Sequence, residues 1–155
     1  MDMKVSPETG VPPQVAAQAH DALCSAEEIR NLLVRYGLYL DEKDFEGYVS
    51  LFTRDGVLDA PLGSATGPEN IRAMLGNVLG PINAGFHIYA NPLIEVSGDD
   101  ATSTSRFSYV QAIEGQLPEL RLVGHYNDVL RREDGRWKFA RRTITIDAGR
   151  APYRD

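Results

Sequence analysis

A single cysteine, Cys24, stands among 155 residues, which excludes an intrachain disulfide and leaves too little sulfur for a zinc cluster. It reads as an inert small apolar residue. No apolar run approaches the roughly 20 residues that a helix needs to cross a bilayer. The opening MDMKVSPETGVPPQ has neither the basic stretch nor the apolar core of a secretion signal. The expectation is a cytoplasmic chain with no membrane partner. Also missing are a Gly-rich phosphate loop, a G-x-S-x-G elbow, and any His/Cys/Asp cluster at metal-ligand spacing, so neither metal nor cofactor is expected. A formal net charge of −6, with basic residues scattered apart from short pairs such as Arg131-Arg132 and Arg141-Arg142, makes nucleic acid a poor partner. Histidine is scarce as well: His20, His87 and His125 are the whole supply.

The length suits one domain, at about 100 to 200 residues per domain, and 43% hydrophobic with 25% charged residues is ordinary globular composition. Residues 1–24 mix Pro, Gly, Gln and Ala without a sustained apolar period, and are expected to be a mobile arm with at most a short helix around Gln14 to Ala22. The folded domain is placed at residues 25–150. Ser25 and Glu28 match a capping box, and Ile29, Leu32, Leu33, Tyr36 and Leu40 make one helical stripe. Phe45, Tyr48, Val49 and Phe52 predict a second, shorter helix ended by a turn at Arg54-Asp55-Gly56. Val57 to Ala60 suit a short strand. Thr66, Pro68 and Glu69 open a third helix with apolar positions Ile71, Met74, Leu75, Val78 and Leu79, stopped by Gly80-Pro81.

After Gly85 the hydrophobic period falls from about 3.6 to 2. Four strands are predicted, Phe86 to Val96, Thr102 to Ile113, Leu120 to Arg132 and Arg136 to Asp147, joined by short connections that make antiparallel neighbours. Pro92 has no N–H for a ladder and demands a bulge, bend or edge in the first of them. Three helices followed by a meander of long strands predict an α+β fold, a curved antiparallel sheet covered by helices into a cone with an enclosed pocket.

Chemistry is expected where polar residues interrupt apolar patterns. Asp41 borders the buried stripe of the first helix, and one turn back stands Gly37, with no side chain to fill the space. A solvated Asp there would oppose the helix dipole, whereas a buried one needs a partner. His87, flanked by apolar residues in GFHIYANPLIEV, can supply it. As a pair they would form a dyad in which the carboxylate holds the imidazole tautomer while the other ring nitrogen removes a proton. Arg142 shares strand parity with Ala140, Ile144 and Ile146. Taking that set as pocket-facing, with Trp137 and Phe139 packing elsewhere, makes Arg142 a holder of an anion or oxyanion. A surface cation is the alternative. Tyr36 is either a core tyrosine or a pocket hydroxyl acting as proton donor. Ser108, Val110, Leu122, Tyr126 and Ile144 are the expected substrate-binding positions on the later strands.

The run RYGLYLDEKDFEGYVSLFTRDGVLD, a strand histidine, GDDATSTSRFSY and GHYNDVLRREDGRWKFARR together resemble the SnoaL-like branch of the nuclear-transport-factor-2-like superfamily, over residues 25–147. That resemblance implies the same cone. The order of Asp41 and His87 is similar to that in hexachlorocyclohexane dehydrochlorinase, scytalone dehydratase and bile-acid 7α-dehydratase, whose dyads remove a proton so that a neighbouring group can leave. It implies catalytic roles for Asp41, His87, Arg142 and Tyr36. Leu40 and Ala60 stand where scytalone dehydratase carries tyrosines, so a different substrate is implied. The expected activity is a cofactor-independent lyase, dehydratase-like, or an isomerase acting on a small hydrophobic, cyclic or aromatic molecule. The alternatives are a non-catalytic binder or partner subunit, or a polyketide-cyclase-like or epoxide-hydrolase-like enzyme. A homo-oligomer, dimer or trimer, is expected because Trp137 or Phe139 on the outer sheet face would need cover.

Overall fold

A computed structural model describes residues 10–79 and 85–149. Helix α1 spans Pro13–Asp41, α2 Phe45–Ser50, β1 Phe52–Ala60, β2 Gly63–Thr66, α3 Pro68–Leu79, β3 Gly85–Ser97, β4 Asp100–Gln111, β5 Glu119–Glu133 and β6 Arg136–Gly149. The strands form one curved sheet in the order β2-β1-β6-β5-β4-β3, antiparallel except where β1 runs parallel to β6. This is the expected α+β cone. The core lies between α1 and the concave sheet face, where Ile29, Leu32, Leu33 and Tyr36 meet Leu130, Trp137 and Phe139.

The first helix begins twelve residues before the expected capping box. Pro13 occupies the first helical position, where its missing N–H is no loss, and the helix runs unbroken through residues 13–24 of the segment expected to be an arm. Cys24 is exposed on it. Ser25 therefore caps nothing: buried at 4% exposure, it accepts a hydrogen bond from Arg132 Nη2 at 2.9 Å, and Glu28 pairs with the same guanidinium. The residues that imitate a cap tie the helix to β5. The expected end at Asp41 stands, with Lys43 at a positive φ of 59° turning the chain and Asp44 accepting from the Gly47 N–H at 2.9 Å to start α2.

Two further boundaries differ. Phe52 opens β1 rather than closing α2, and Arg54-Asp55-Gly56 lies within that strand where its register against β6 shifts between Phe52 and Val57. A Cβ on Gly56 would sit 2.9 Å from the Phe139 carbonyl oxygen, so only glycine lets the two backbones approach here. Thr66 belongs to β2, the short strand absent from the sequence reading, and α3 starts at Pro68. The expected stop at Gly80-Pro81 lies outside the described residues, as do the side chains of Val78 and Leu79. Pro92 does interrupt β3: the register slips between Ala90 and Leu93, and Asn91 takes a φ of 53°.

A bulge decides the face of Arg142. Leu130 pairs with Phe139 and Val129 with Arg141, leaving Ala140 as the extra residue. Trp137 and Phe139, 5% and 0% exposed, therefore share the inner face with Arg142, Ile144 and Ile146, correcting the expectation that Trp137 and Phe139 pack elsewhere. With both inside, they need no cover from a second copy.

Candidate functional site

Asp41 ends α1 and His87 sits near the start of β3, the strand α1 crosses. Asp41 Oδ1 lies 2.6 Å from His87 Nδ1, and Oδ2 accepts the backbone N–H of His87 at 2.9 Å. Both oxygens thus hold one residue. An ionised carboxylate can only accept, so Nδ1 carries the proton, and in the neutral ring Nε2 keeps its lone pair. The two side chains are largely covered, at 17% and 19% exposure. Packing against Tyr109, at a ring-centroid distance of 5.0 Å, limits rotation of the imidazole.

His87 borders a cavity of about 100 Å³ bounded by the sheet and by α1, α2 and α3. Its floor holds the rings of Tyr36, Tyr48 and Tyr126, and its walls include Leu58, Met74, Phe107 and Leu122. Ala60, Pro61 and Leu62, at the turn joining β1 to β2, complete it. The Tyr48 hydroxyl donates to the Tyr36 hydroxyl at 2.5 Å, which leaves the Tyr36 proton available to another acceptor. Tyr126 donates to Tyr89 at 3.4 Å. Burial raises the pKa of all four phenols, Tyr48, Tyr89 and Tyr126 well above the ordinary value; for Tyr36 the nearby Arg142 charge opposes the rise.

Arg142 does not line this cavity. It is fully buried behind the tyrosines, with Nε and Nη2 each donating to Asp128 at 2.7 Å. Its guanidinium carbon lies 4.0, 4.1 and 4.2 Å from the ring centroids of Tyr36, Tyr126 and Phe139. Burial alone would depress its pKa, but the facing carboxylate outweighs this and holds it above its ordinary value. The expected anion holder already has its anion.

Ser108 and Val110 are corrected as well. On β4 the inward set is Ala101, Ser103, Ser105, Phe107 and Tyr109, so Ser108 and Val110 turn to the outer face. Of the sequence-derived positions, Asp41, His87, Tyr36, Leu122, Tyr126 and Ile144 come together, and Leu40 and Ala60 border the same cavity. Tyr48, Tyr89, Phe107, Tyr109 and Asp128 were missed. Tyr48 was readable only as core, whereas Asp128 had a usable signal: it shares β5 parity with Tyr126 and Leu130, and a buried Arg142 requires a carboxylate. Among the described residues no group of three His, Cys, Asp or Glu side chains could hold a metal ion, and no helix is long and apolar enough to cross a membrane.

The SnoaL-like domain profile matches residues 21–143. An uncharacterized Mycobacterium tuberculosis protein, Rv2910c, is 30% identical over 122 residues, 76% of this chain and 82% of its own length. Among solved structures, an Asp-to-Asn variant of Rv3472, a protein of unknown function from the same organism, is 28% identical with a TM-score of 0.75, covering 89% of this chain and 78% of its own. LinA is 25% identical with a TM-score of 0.72, covering 81% of this chain and 88% of its own. A LinA structure of the second type carries the name hexachlorocyclohexane dehydrochlorinase.

Proposed function

The chain belongs to the SnoaL-like domain family, and from that premise we propose that it is a lyase, dehydratase-like, or an isomerase. Its own side chains would move a proton of a small hydrophobic, cyclic or aromatic substrate. The carrying observation is the two-point grip of Asp41 on His87 at the edge of an apolar cavity. A histidine so held has one tautomer, and its Nε2 is the base; the carboxylate stabilises the imidazolium that forms. Tyr36, supplied with a hydrogen bond from Tyr48, is the proton donor to the leaving group or to a developing oxyanion. Arg142 acts from behind the tyrosines, not as an electrophile in contact with substrate. The name hexachlorocyclohexane dehydrochlorinase, borne by a LinA structure, supports an elimination.

The test is turnover of a panel of cyclic alcohols, cyclic ketones and halogenated rings, followed by the same assay on His87→Ala. Loss of about a hundredfold or more is expected for a removed general base. Dialysis against a chelator is expected to leave the rate unchanged. Equal turnover by His87→Ala would overturn the proton-transfer reading in favour of a binding protein. A homo-oligomer remains part of the proposal, resting now on Phe86, Ile88 and Val129, which are 44 to 46% exposed on the outer sheet face. Light scattering at micromolar concentration tests it, and a monomer would remove it.

A further inference from the structure

Four charged or titratable groups govern the electrostatics of the cavity: Asp41 and His87 at its edge, Asp128 and Arg142 behind its floor. Their sum is never positive. With neutral imidazole the four carry one net negative charge, and with imidazolium they carry none. No Lys, Arg, Asp or Glu is among the described residues lining the cavity. The one deeply buried cation among the described residues, Arg142, lies 4.0 Å from the Tyr36 ring centroid, and its charge is matched by two 2.7 Å bonds to Asp128.

We propose that Asp128 is a specificity-determining residue: by cancelling Arg142 beneath the aromatic floor, it restricts the cavity to electrically neutral ring compounds and excludes carboxylates and phosphates. The proposal rests on the reading of this cavity as the substrate site, and it names the substrate's charge class. A carboxylate entering the cavity would lose its water and gain no net positive charge in return, which is unfavourable in a low-dielectric site. A neutral carbonyl, hydroxyl or halogen keeps its apolar burial and can accept from the Tyr36 hydroxyl. The raised phenol pKa values keep the floor uncharged at neutral pH. Two of the guanidinium nitrogens are tied to Asp128, so removing that carboxylate's charge leaves the cation beneath the floor without its counter-ion.

The experiment compares acetophenone with benzoate, near-isosteres that differ in charge at neutral pH, by following amide shifts of Leu122, Tyr126 and Ile144 during titration of the full chain. Wild-type protein is expected to bind acetophenone at least about tenfold more tightly than benzoate, since a lone buried charge is disfavoured. Asp128→Asn, which keeps the shape and removes the charge, should shrink that ratio by roughly tenfold by leaving Arg142 uncompensated. Because breaking a buried pair can unfold a protein, the double variant Asp128→Leu/Arg142→Leu is made alongside, and it should retain the wild-type preference. Wild-type affinity for benzoate equal to that for acetophenone would overturn the proposal. So would failure of acetophenone to shift the cavity amides, an unchanged ratio in folded Asp128→Asn, or loss of preference in the double variant. A failure of the catalytic reading shows in turnover by His87→Ala, whereas this proposal stands or falls on the binding ratios of the wild-type, Asp128→Asn and double-variant proteins, none of which requires turnover.

Discussion

Replacing Asp41 by Asn keeps the shape of the side chain but gives it one acceptor and one donor where two acceptors stood. In the native protein Oδ2 receives the His87 backbone N–H and Oδ1 receives Nδ1–H. The carboxamide of Asp41→Asn cannot serve both. If its oxygen stays on Nδ1–H, its amide faces the backbone N–H of His87, and that donor loses its partner at about 1–3 kcal/mol. If the amide flips, the backbone bond survives, the carboxamide N–H₂ points at Nδ1, and the ring must move its proton to Nε2. The second arrangement wins by the same 1–3 kcal/mol, leaving the base-competent tautomer roughly 5- to 150-fold less populated. Loss of the carboxylate that stabilised imidazolium adds to this, so kcat should fall about 10²- to 10⁴-fold while KM changes little. The tautomer itself can be read without any substrate from long-range ¹H–¹⁵N correlations of the ring, recorded at a pH where the imidazole is neutral. Wild-type His87 should show protonated Nδ1, and Asp41→Asn should show protonated Nε2. The same tautomer in both proteins would refute the reasoning, as would wild-type kcat in the variant.

Tyr36→Phe keeps the ring over Arg142 but removes the hydroxyl that accepts from Tyr48, so kcat should drop roughly a hundredfold with the fold intact; unchanged kcat removes Tyr36 as the acid. Gly37→Ala would place a Cβ 2.2 Å from Tyr89 Cε2, against a ring already stacked on Tyr126. Overpacking of about 1–3 kcal/mol should outweigh the gain of about 1 kcal/mol in helix propensity, lowering Tm by a few degrees, and an unchanged or raised Tm in differential scanning fluorimetry would contradict the contact. Alkaline pH should destabilise the protein steeply. Tyr36, Tyr48, Tyr89 and Tyr126 have folded-state pKa values above the ordinary 10.0, so their contribution is fully present below that value and lost as pH rises through the folded-state pKa values. In that window each removes about 1.4 kcal/mol per pH unit, approximately 5 for the four together. Denaturant midpoints at about pH 9 and pH 11 measure it, and equal midpoints would show that these phenols are not buried as described.

What the sequence determined by itself was set by local periodicity. The stripe of Ile29, Leu32, Leu33 and Tyr36 defined the helix face that packs on the sheet, and the period-2 runs after Gly85 defined the antiparallel strands. Asp41 and His87 were legible because each is a polar residue breaking an apolar pattern, and Gly37 marked the gap that Tyr89 fills. Residues 13–24 misled because apolar period, not helix propensity, was the signal sought there. The faces of the later strands were settled by long-range packing. One extra residue at Ala140 brings Trp137 and Phe139 onto the inner face with Arg142 and Ile144, where the rings of Tyr36 and Tyr126 stand between Arg142 and the cavity, and on β4 Phe107 and Tyr109, not Ser108 and Val110, reach it. Parity with Tyr126 and Leu130 marked Asp128 as inward, but its pairing with Arg142 depends on the register between two strands. A strand's period of two tells which residues share a face; the fold alone tells which face is inside.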